Sequence, residues 1–355
     1  MNTLRLTVDP SRLDAPEARQ SIARAAEILR SGGLVALPTE TVYGLGANAL
    51  DPVAVGLIFA AKRRPFWDPV IVHIAGSVEQ NPMLEGLVSE IPERARKLMA
   101  AFWPGPLTLL LPRSSAVPDA VTAGRPLVGI RMPAHPIAFE LIRLAGVPVA
   151  APSANTFSHI SPTTAAHVLE DLDGRIDAIL DAGSTRHGVE STVLDPCQSP
   201  MVIYRPGAVT AAQIESVAGP VVFFKGGDVL QSTPRGVLPS PGVGMRHYAP
   251  RARLVLVEAE EAQLPHLLAE TVALYGADRV GLMLPKDLAS DAWPNATIFS
   301  WGRWSAPEEL ARTLYAGLRE LDAQNCTVIV CPMPSAYGIG TAVRDRLRKA
   351  AHRGD

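Results

Sequence analysis

Cysteine is scarce. The 355-residue chain has three, Cys197, Cys326 and Cys331, too few and too scattered for a disulfide framework. Cys326 and Cys331 bracket a short apolar run, and their odd separation along a strand would turn them to opposite faces, so one metal ion would not take both. Reduced thiols packed as small apolar groups are expected. Aromatic residues make up 5%, so aliphatic side chains must fill the interior. Charge of one sign is also lacking: 33 Lys and Arg against 35 Asp and Glu leave a net charge of -2. No field of the whole protein therefore draws in nucleic acid or an anionic membrane, and any anion site must be local. No stretch approaches the ~20 apolar residues of a membrane span. Residues 1–10 carry Arg5 and Asp9 and lack the apolar centre of a secretory signal, so a cytoplasmic protein without a membrane partner is expected. The sequence holds no Gly-Lys pair, hence no Walker A loop, and no HExxH zinc helix.

What is present is a foldable chain, 47% hydrophobic and 19% charged, which excludes disorder. Its length exceeds the size at which one hydrophobic core stops growing, so two domains are expected. The 32 prolines, about 9% against a usual 5% or so, concentrate in connecting segments. The densest stretch, PRGVLPSPGVGMRHYAP at residues 234–250, has four prolines and three glycines. It can form neither a helix nor a central strand and reads as a linker or long functional loop, dividing the chain near residues 210–250.

After residue 251, strand and helix alternate: strands at 253–258, 279–284 and 327–331, a short apolar stretch at 296–301, helices at 263–275 and 307–323, and a basic terminal helix from about 340. Such alternation demands crossover connections and predicts a small, largely parallel sheet with helices on its faces. The first part predicts strands at 33–38, 70–74, 108–112, 128–132, 147–150, 178–181 and 191–194, with helices at 17–31, 51–63, 91–101, 136–145 and 163–171. Most polar signatures sit at strand ends, where open α/β sheets place ligands.

Among these, GLGANA at 44–49 matches GxGxxA, either a dinucleotide fingerprint or a tight glycine turn, but the next strand ends in His73 without the acid that holds a ribose. GIGTAV at 338–343 is a weaker match that can simply open the last helix. Lys62-Arg63-Arg64 closes a helix before Pro65. Such cations are either partners of the helix dipole or, with Lys62 and Arg64 two apart, a point charge and a planar fork aimed at a polyphosphate. Ala151 to Asn155 follows a strand with small residues, a hydroxyl (Ser153) and an amide (Asn155). Ser161 or Thr163 is expected to cap the next helix. Arg131 lies in an otherwise apolar run, where it needs a buried anionic partner or a ligand. His73 is open between a satisfied core histidine and a ligand contact.

Together these residues resemble the threonylcarbamoyl-AMP synthases, in the longer form in which a YrdC-like domain precedes a small C-terminal domain. The likeness is carried in order by GGLVALPTETVYGLGANA (32–49), KRRP (62–65), PVIVHI (69–74), WPGPLTLLL (103–111), VGIRMPAHP (128–136), APSAN (151–155), GVEST (188–192), RPGAV (205–209) and HYAP (247–250). It implies an α/β protein: a twisted mixed sheet with helices around a concave cavity in a catalytic domain at 1–210, a linker and active-site lid at 211–250, and a smaller Rossmann-like domain at 251–355. It implies an enzyme, a nucleotidyltransferase joining L-threonine, bicarbonate and ATP, with Mg²⁺ carried on the ATP. The products are threonylcarbamoyl-adenylate and pyrophosphate. A partner transferase would then modify the tRNA adenosine beside the anticodon, with at most weak or indirect contact between tRNA and this chain.

By the same likeness Lys62 and Arg64 are catalytic. Arg64, Ser153, Asn155, Ser161, Arg205 and Tyr248 bind ATP, and Thr41, His73, Arg131, Ala151 and Ser191 surround threonine; no resident metal is implied. Two positions depart from the family pattern. Asp68 stands where relatives often carry Asn, and an acid beside a triphosphate repels unless a cation intervenes. Leu127 stands where many carry Thr, leaving its backbone alone to meet adenine. The other reading, an RNA-binding module of the same fold without ATP turnover, is opposed by the net charge and the few aromatics.

Overall fold

The structure, a computed structural model, describes residues 2–225, 240, 242–243, 247–276, 279–288, 293 and 296–352. Of the linker and lid expected at 211–250, residues 226–239, 241 and 244–246 lie outside the described residues, and 211–223 contain a helix and a strand instead. The chain divides into two units, the first comprising residues 1–157, 162–186 and 190–243 and the second residues 158–161, 187–189 and 244–355.

In the first unit the elements are β1 (Leu4–Thr7), α1 (Pro16–Arg30), β2 (Val35–Leu37), β3 (Gly44–Asn48), α2 (Pro52–Lys62), β4 (Ile71–His73), α3 (Pro82–Leu87), α4 (Glu93–Phe102), β5 (Leu107–Pro112), α5 (Asp119–Thr122), β6 (Leu127–Arg131), α6 (Pro136–Ala145), β7 (Val149–Ala150), α7 (Ala165–Leu172), β8 (Ala178–Asp181), β9 (Thr192–Asp195), β10 (Met201–Arg205), α8 (Ala211–Ala218) and β11 (Val221–Phe223). The strands form one mixed sheet in the order β1-β8-β2-β3-β7-β4-β6-β5-β9-β10-β11.

Side-chain alternation sorts this sheet into two packed faces. Val35 and Leu37 of β2 join a cluster with α1 and α6, whereas Ala36 between them joins the opposite cluster with α2, α4 and α7. On α1 the buried residues Ala18, Ile22, Ala25, Ala26 and Leu29 recur every three or four positions, the spacing of one helical face. Strand β5 is buried throughout Leu107–Leu111, matching its unbroken apolar run.

Most predicted elements appear with shifted ends, but four expectations need correction. GLGANA is neither a phosphate cradle nor a turn: its first five residues are β3, antiparallel to β2 and β7. A Cβ at Gly46 would lie 2.9 Å from both the Leu37 and Val149 side chains, so packing between strands explains this glycine. The cap of α7 is Thr164, whose side chain accepts from His167 N, rather than Ser161 or Thr163. Strands β1, β10 and β11 go beyond the sequence reading, and β10 matters because it ends in Arg205. Cys326 and Cys331 are free and buried as expected, but Cys197, also free, is exposed.

The second unit contains β12 (Arg253–Val257), α9 (Leu264–Tyr275), β13 (Val280–Pro285), β14 (Thr297–Gly302), α10 (Pro307–Ala323), β15 (Val328–Pro332) and α11 (Gly340–Ala351). Its sheet has the order β12-β15-β13-β14 with every pairing parallel, as strand–helix alternation requires. No helix among the described residues is long and apolar enough to cross a membrane.

Helix α2 shows how local signals position the site. Asp51 accepts from Val53 N and Ala54 N at its start, and Pro52 occupies the first turn, where its missing N–H costs nothing. At its end Arg63 turns left-handed (φ 54°) and Arg64 N bonds back to Phe59 O, while Pro65 bars further helix. Lys62 and Arg64 are thereby delivered side by side. Asp51→Ala should remove the start cap and lower stability by about 1 kcal/mol, read as a fall in the thermal midpoint.

Candidate active site

Five neighbouring strands, β4, β6, β5, β9 and β10, bring polar residues to their ends. His73 closes β4 and pairs in register with Arg131, which closes β6. Thr108 lies near the start of β5, Ser191 directly precedes β9, and Arg205 closes β10. All five side chains are buried among apolar neighbours. Polar groups in such a setting must find partners.

Arg131 finds three. Its Nη2 lies 2.5 Å from Glu40 Oε1, its Nη1 donates to Thr41 Oγ1 at 2.9 Å, and its Nε donates to Gly105 O at 3.2 Å. Thr41 is fixed in turn: its hydroxyl meets that of Thr39 at 2.8 Å, and Thr39 donates to Val42 O at 2.6 Å. Burial pushes the Glu40 carboxyl up, but the charge and hydrogen bond of Arg131 outweigh it and hold it below the usual carboxylate range. His73, also beside Arg131, is driven down to about 3, first by burial and then by that cation. It is a neutral imidazole at physiological pH, and its buried Nδ1 has no hydrogen-bond partner.

On the neighbouring strands Thr108 Oγ1 and Ser191 Oγ lie 2.8 Å apart, and Arg205 grips Ser191 through Nη2 to the hydroxyl and Nε to the carbonyl, both at 3.1 Å. Gly207 makes this possible. A Cβ there would fall 2.3 Å from Thr192 N, so only glycine lets the chain after Arg205 lie against the residues around Ser191.

The cationic pair lies close to this group. Lys62 Nζ donates to the carbonyls of Ser153 and Asn155, each at 2.5 Å, which ties the end of α2 to the loop after β7. That loop is itself pinned by Leu45 N to Pro152 O at 2.7 Å and Ala151 N to Ile71 O at 2.9 Å. Arg64 donates to the carbonyls of Asp68 and Pro69 and forms an ion pair with Asp68 Oδ2 at 2.9 Å. Burial raises Asp68 despite the opposing charges of Arg64, Lys62 and Arg205. Burial also drives Lys62 well below the ordinary lysine value, and the positive charge of Arg64 adds to this. These two cations are desolvated and close together, the condition in which an added polyanion is most strongly favoured.

Thus Thr41, Lys62, Arg64, His73, Arg131, Ala151, Ser153, Asn155, Ser191 and Arg205 all lie in the first unit. Ser161 and Tyr248 belong to the second.

Comparison with known proteins decides what this set belongs to. The family model described as "Telomere recombination" (Sua5, YciO and YrdC) matches residues 27–207, and that described as "Threonylcarbamoyl-AMP synthase, C-terminal domain" matches residues 209–352. A threonylcarbamoyl-AMP synthase of Pyrococcus abyssi is 45% identical over 92% of this chain and 93% of its own length. Another, of Bacillus subtilis, is 45% identical over 93% and 92%. The chain belongs to the threonylcarbamoyl-AMP synthase family. The structure of P. abyssi Sua5 complexed with L-threonine superposes with a TM-score of 0.85 at 41% identity, covering 98% of each chain. A double-alanine variant of the same protein gives 0.87, covering 98% of this chain and 96% of the other. Threonylcarbamoyl-AMP synthases are nucleotidyltransferases, and this chain is an enzyme of that kind.

Three members of this buried polar set escaped sequence reasoning. Glu40 had a signal, since the buried Arg131 required an acid and Glu40 stands alone in the apolar run 34–49. Asp68 was read only as a departure, whereas its carboxylate is the buried partner of Arg64. Thr108 is one hydroxyl in an apolar strand, and only sheet order sets it against Ser191.

Glu40→Ala should destabilise the fold by about 3–5 kcal/mol because it leaves a buried guanidinium uncompensated, and Glu40→Leu combined with Arg131→Met should recover most of that loss. Denaturant unfolding checks both. His73 generates a stability term in pH. Its folded value lies below its unfolded value, so the contribution is whole above about pH 6.5 and disappears as pH falls towards about 3. His73→Asn should flatten stability against pH over that window.

Proposed function

We propose that the protein joins L-threonine, bicarbonate and ATP into threonylcarbamoyl-AMP with release of pyrophosphate. A transferase would then pass the threonylcarbamoyl group to the tRNA adenosine beside the anticodon. The observation that supports this best is the pairing of two unlike patches beside the ends of neighbouring strands. One is a charge-balanced pocket of Arg131, Glu40, Thr41 and neutral His73; the other is the desolvated cation group of Lys62, Arg64 and Arg205. The first suits a small zwitterion with a hydroxyl, the second a triphosphate.

In this reading the hydrogens of Arg131 not engaged by Glu40, Thr41 and Gly105 take the threonine carboxylate, with His73, Ala151 and Ser191 around the rest of the amino acid. Lys62 and Arg64 neutralise the phosphates, Arg205 and Ser153 assist, and Asn155 holds the loop. The nucleotide contacts of Ser161 and Tyr248 rest on the family resemblance. Threonine N-carboxylate is a weak nucleophile that must approach the α-phosphate of a polyanion while pyrophosphate leaves. Fixed cations aimed at the developing charge lower that barrier, and no protein nucleophile is needed. The chemistry falls within residues 1–210 of the first unit, which α8 and β11 extend, and the smaller domain is the part at 251–355. The carboxylates of Glu40 and Asp68 already face Arg131 and Arg64, so Mg²⁺ would arrive on the triphosphate and water rather than on these acids.

Pyrophosphate release should require both threonine and bicarbonate when each is omitted in turn; release without them, or none, overturns the reading. Lys62→Ala or Arg64→Ala should lower turnover about 10²-fold. The depressed Lys62 has a sign that can be tested. Lys62 is charged only below its lowered value, and ATP selects the charged form, so ATP KM should rise with pH at values still below the ordinary lysine range. Lys62→Met should remove that slope.

A further inference from the structure

Helix α2 differs from other surface helices of the first unit. Its inward face, Ala54, Val55, Ile58, Phe59, Ala61 and Lys62, is buried. Its outward face, Pro52, Val53, Gly56, Leu57 and Ala60, carries no polar side chain. Helix α1 instead turns Glu17, Arg24 and Glu27 to solvent, and α4 turns Glu93, Arg96 and Lys97. A helix apolar on every side is ordinarily covered on every side. Here Val53 is 73% exposed, and Leu50 and Leu57 are exposed beside it.

Two aromatic rings extend this face past the end of the helix. Phe66, 65% exposed, stacks on Phe59 with ring centroids 4.8 Å apart, and the exposed Trp67 meets Phe157 edge-on at 6.1 Å. Apolar residues scattered singly over a surface need no explanation, but a continuous patch with aromatic members marks a contact surface. Gly56 adds a separate observation. A Cβ there would meet nothing within 4 Å, so nothing in the chain compels a glycine in mid-helix, where it costs helix stability. Its missing side chain leaves room on the outward face for another helix to come close.

Charge at the two ends of the face says what covers it. Asp51 stands at the start of α2 and Arg63 at its end, and every outward residue between them is apolar. Two copies of α2 packed antiparallel, about a twofold axis near Gly56 and Leu57, would set Val53 of each copy against Ala60 of the other and Asp51 against Arg63. The helix dipoles oppose one another in that direction, whereas a parallel pairing would set like charges together. One patch thus supplies both halves of an isologous contact, the apolar centre and the charged ends alike. We propose that the outward face of α2, with Phe66 and Trp67, is the interface through which two copies of this chain form a dimer. The proposal does not depend on the reaction assigned above.

Analytical ultracentrifugation of the full-length protein should show a monomer–dimer equilibrium, and Val53→Glu or Leu57→Glu should raise its dissociation constant about tenfold or more by burying an unpaired acid. Arg63→Glu should weaken the dimer most at low salt, because it sets acids against each other. Gly56→Leu separates contact from fold: its side chain enters open space, so the thermal midpoint should hold while the dimer weakens. Direction is read by cross-linking. On a Cys197→Ser background, Leu57→Cys should give a disulfide-linked dimer under mild oxidation, whereas Ala23→Cys, exposed on α1, should not. A wild type that stays monomeric up to about 100 µM overturns the proposal and leaves the face to a different protein. A dimer unmoved by Val53→Glu and Leu57→Glu overturns it too, because the contact then lies elsewhere. Should circular dichroism show that the acid variants are unfolded, Gly56→Leu carries the test with the same criterion.

Discussion

Burying positive charge is the constraint around which the first unit is arranged. Lys62, Arg64, Arg131 and Arg205 are each 7% exposed or less, and an isolated cation in such a place would cost far more than the fold could spare. Each is therefore met by a different device. Arg131 has a carboxylate and a hydroxyl, Arg64 a carboxylate and two carbonyls, Arg205 a carbonyl and a hydroxyl, and Lys62 two carbonyls. These partners lie on loops that follow or precede strands, so sheet order decides which cation meets which acceptor.

The devices leave the two patches electrically different. Around Arg131 the charge closes to neutrality, because Glu40 stays ionised and His73 stays uncharged. Around Lys62 and Arg64 the cations are met by Asp68, whose carboxyl is raised by burial, and Lys62 also feels the charge of Asp171. Asp68 stands where an acid would repel phosphate were it exposed. Fully buried behind Arg64, it instead holds the guanidinium in place.

Legibility followed the range of the interactions. Helix α2 could be read from Asp51, Pro52 and Pro65, because caps and breakers act within a few residues. The apolar runs of β4, β5 and β6 were equally plain. Strand β3 was misread because its glycines imitate a phosphate loop, and the distinction lay in the Leu37 and Val149 side chains supplied by other strands. Helix α7 was displaced by a choice among three neighbouring hydroxyl residues, all chemically able to cap it.

The sequence alone determined the class of the molecule: two α/β bodies, and an ordered series of motifs that names the family and nominates Lys62, Arg64, His73, Arg131 and Ser191. Tertiary structure decided the partners. Glu40 and Arg131 are 91 residues apart, Thr108 and Ser191 are 83 apart, and Lys62 reaches carbonyls 91 and 93 residues away. Pairings at that range are selected by strand order and by the cost of leaving a buried charge or hydroxyl alone, and neither is written in any local pattern of residues.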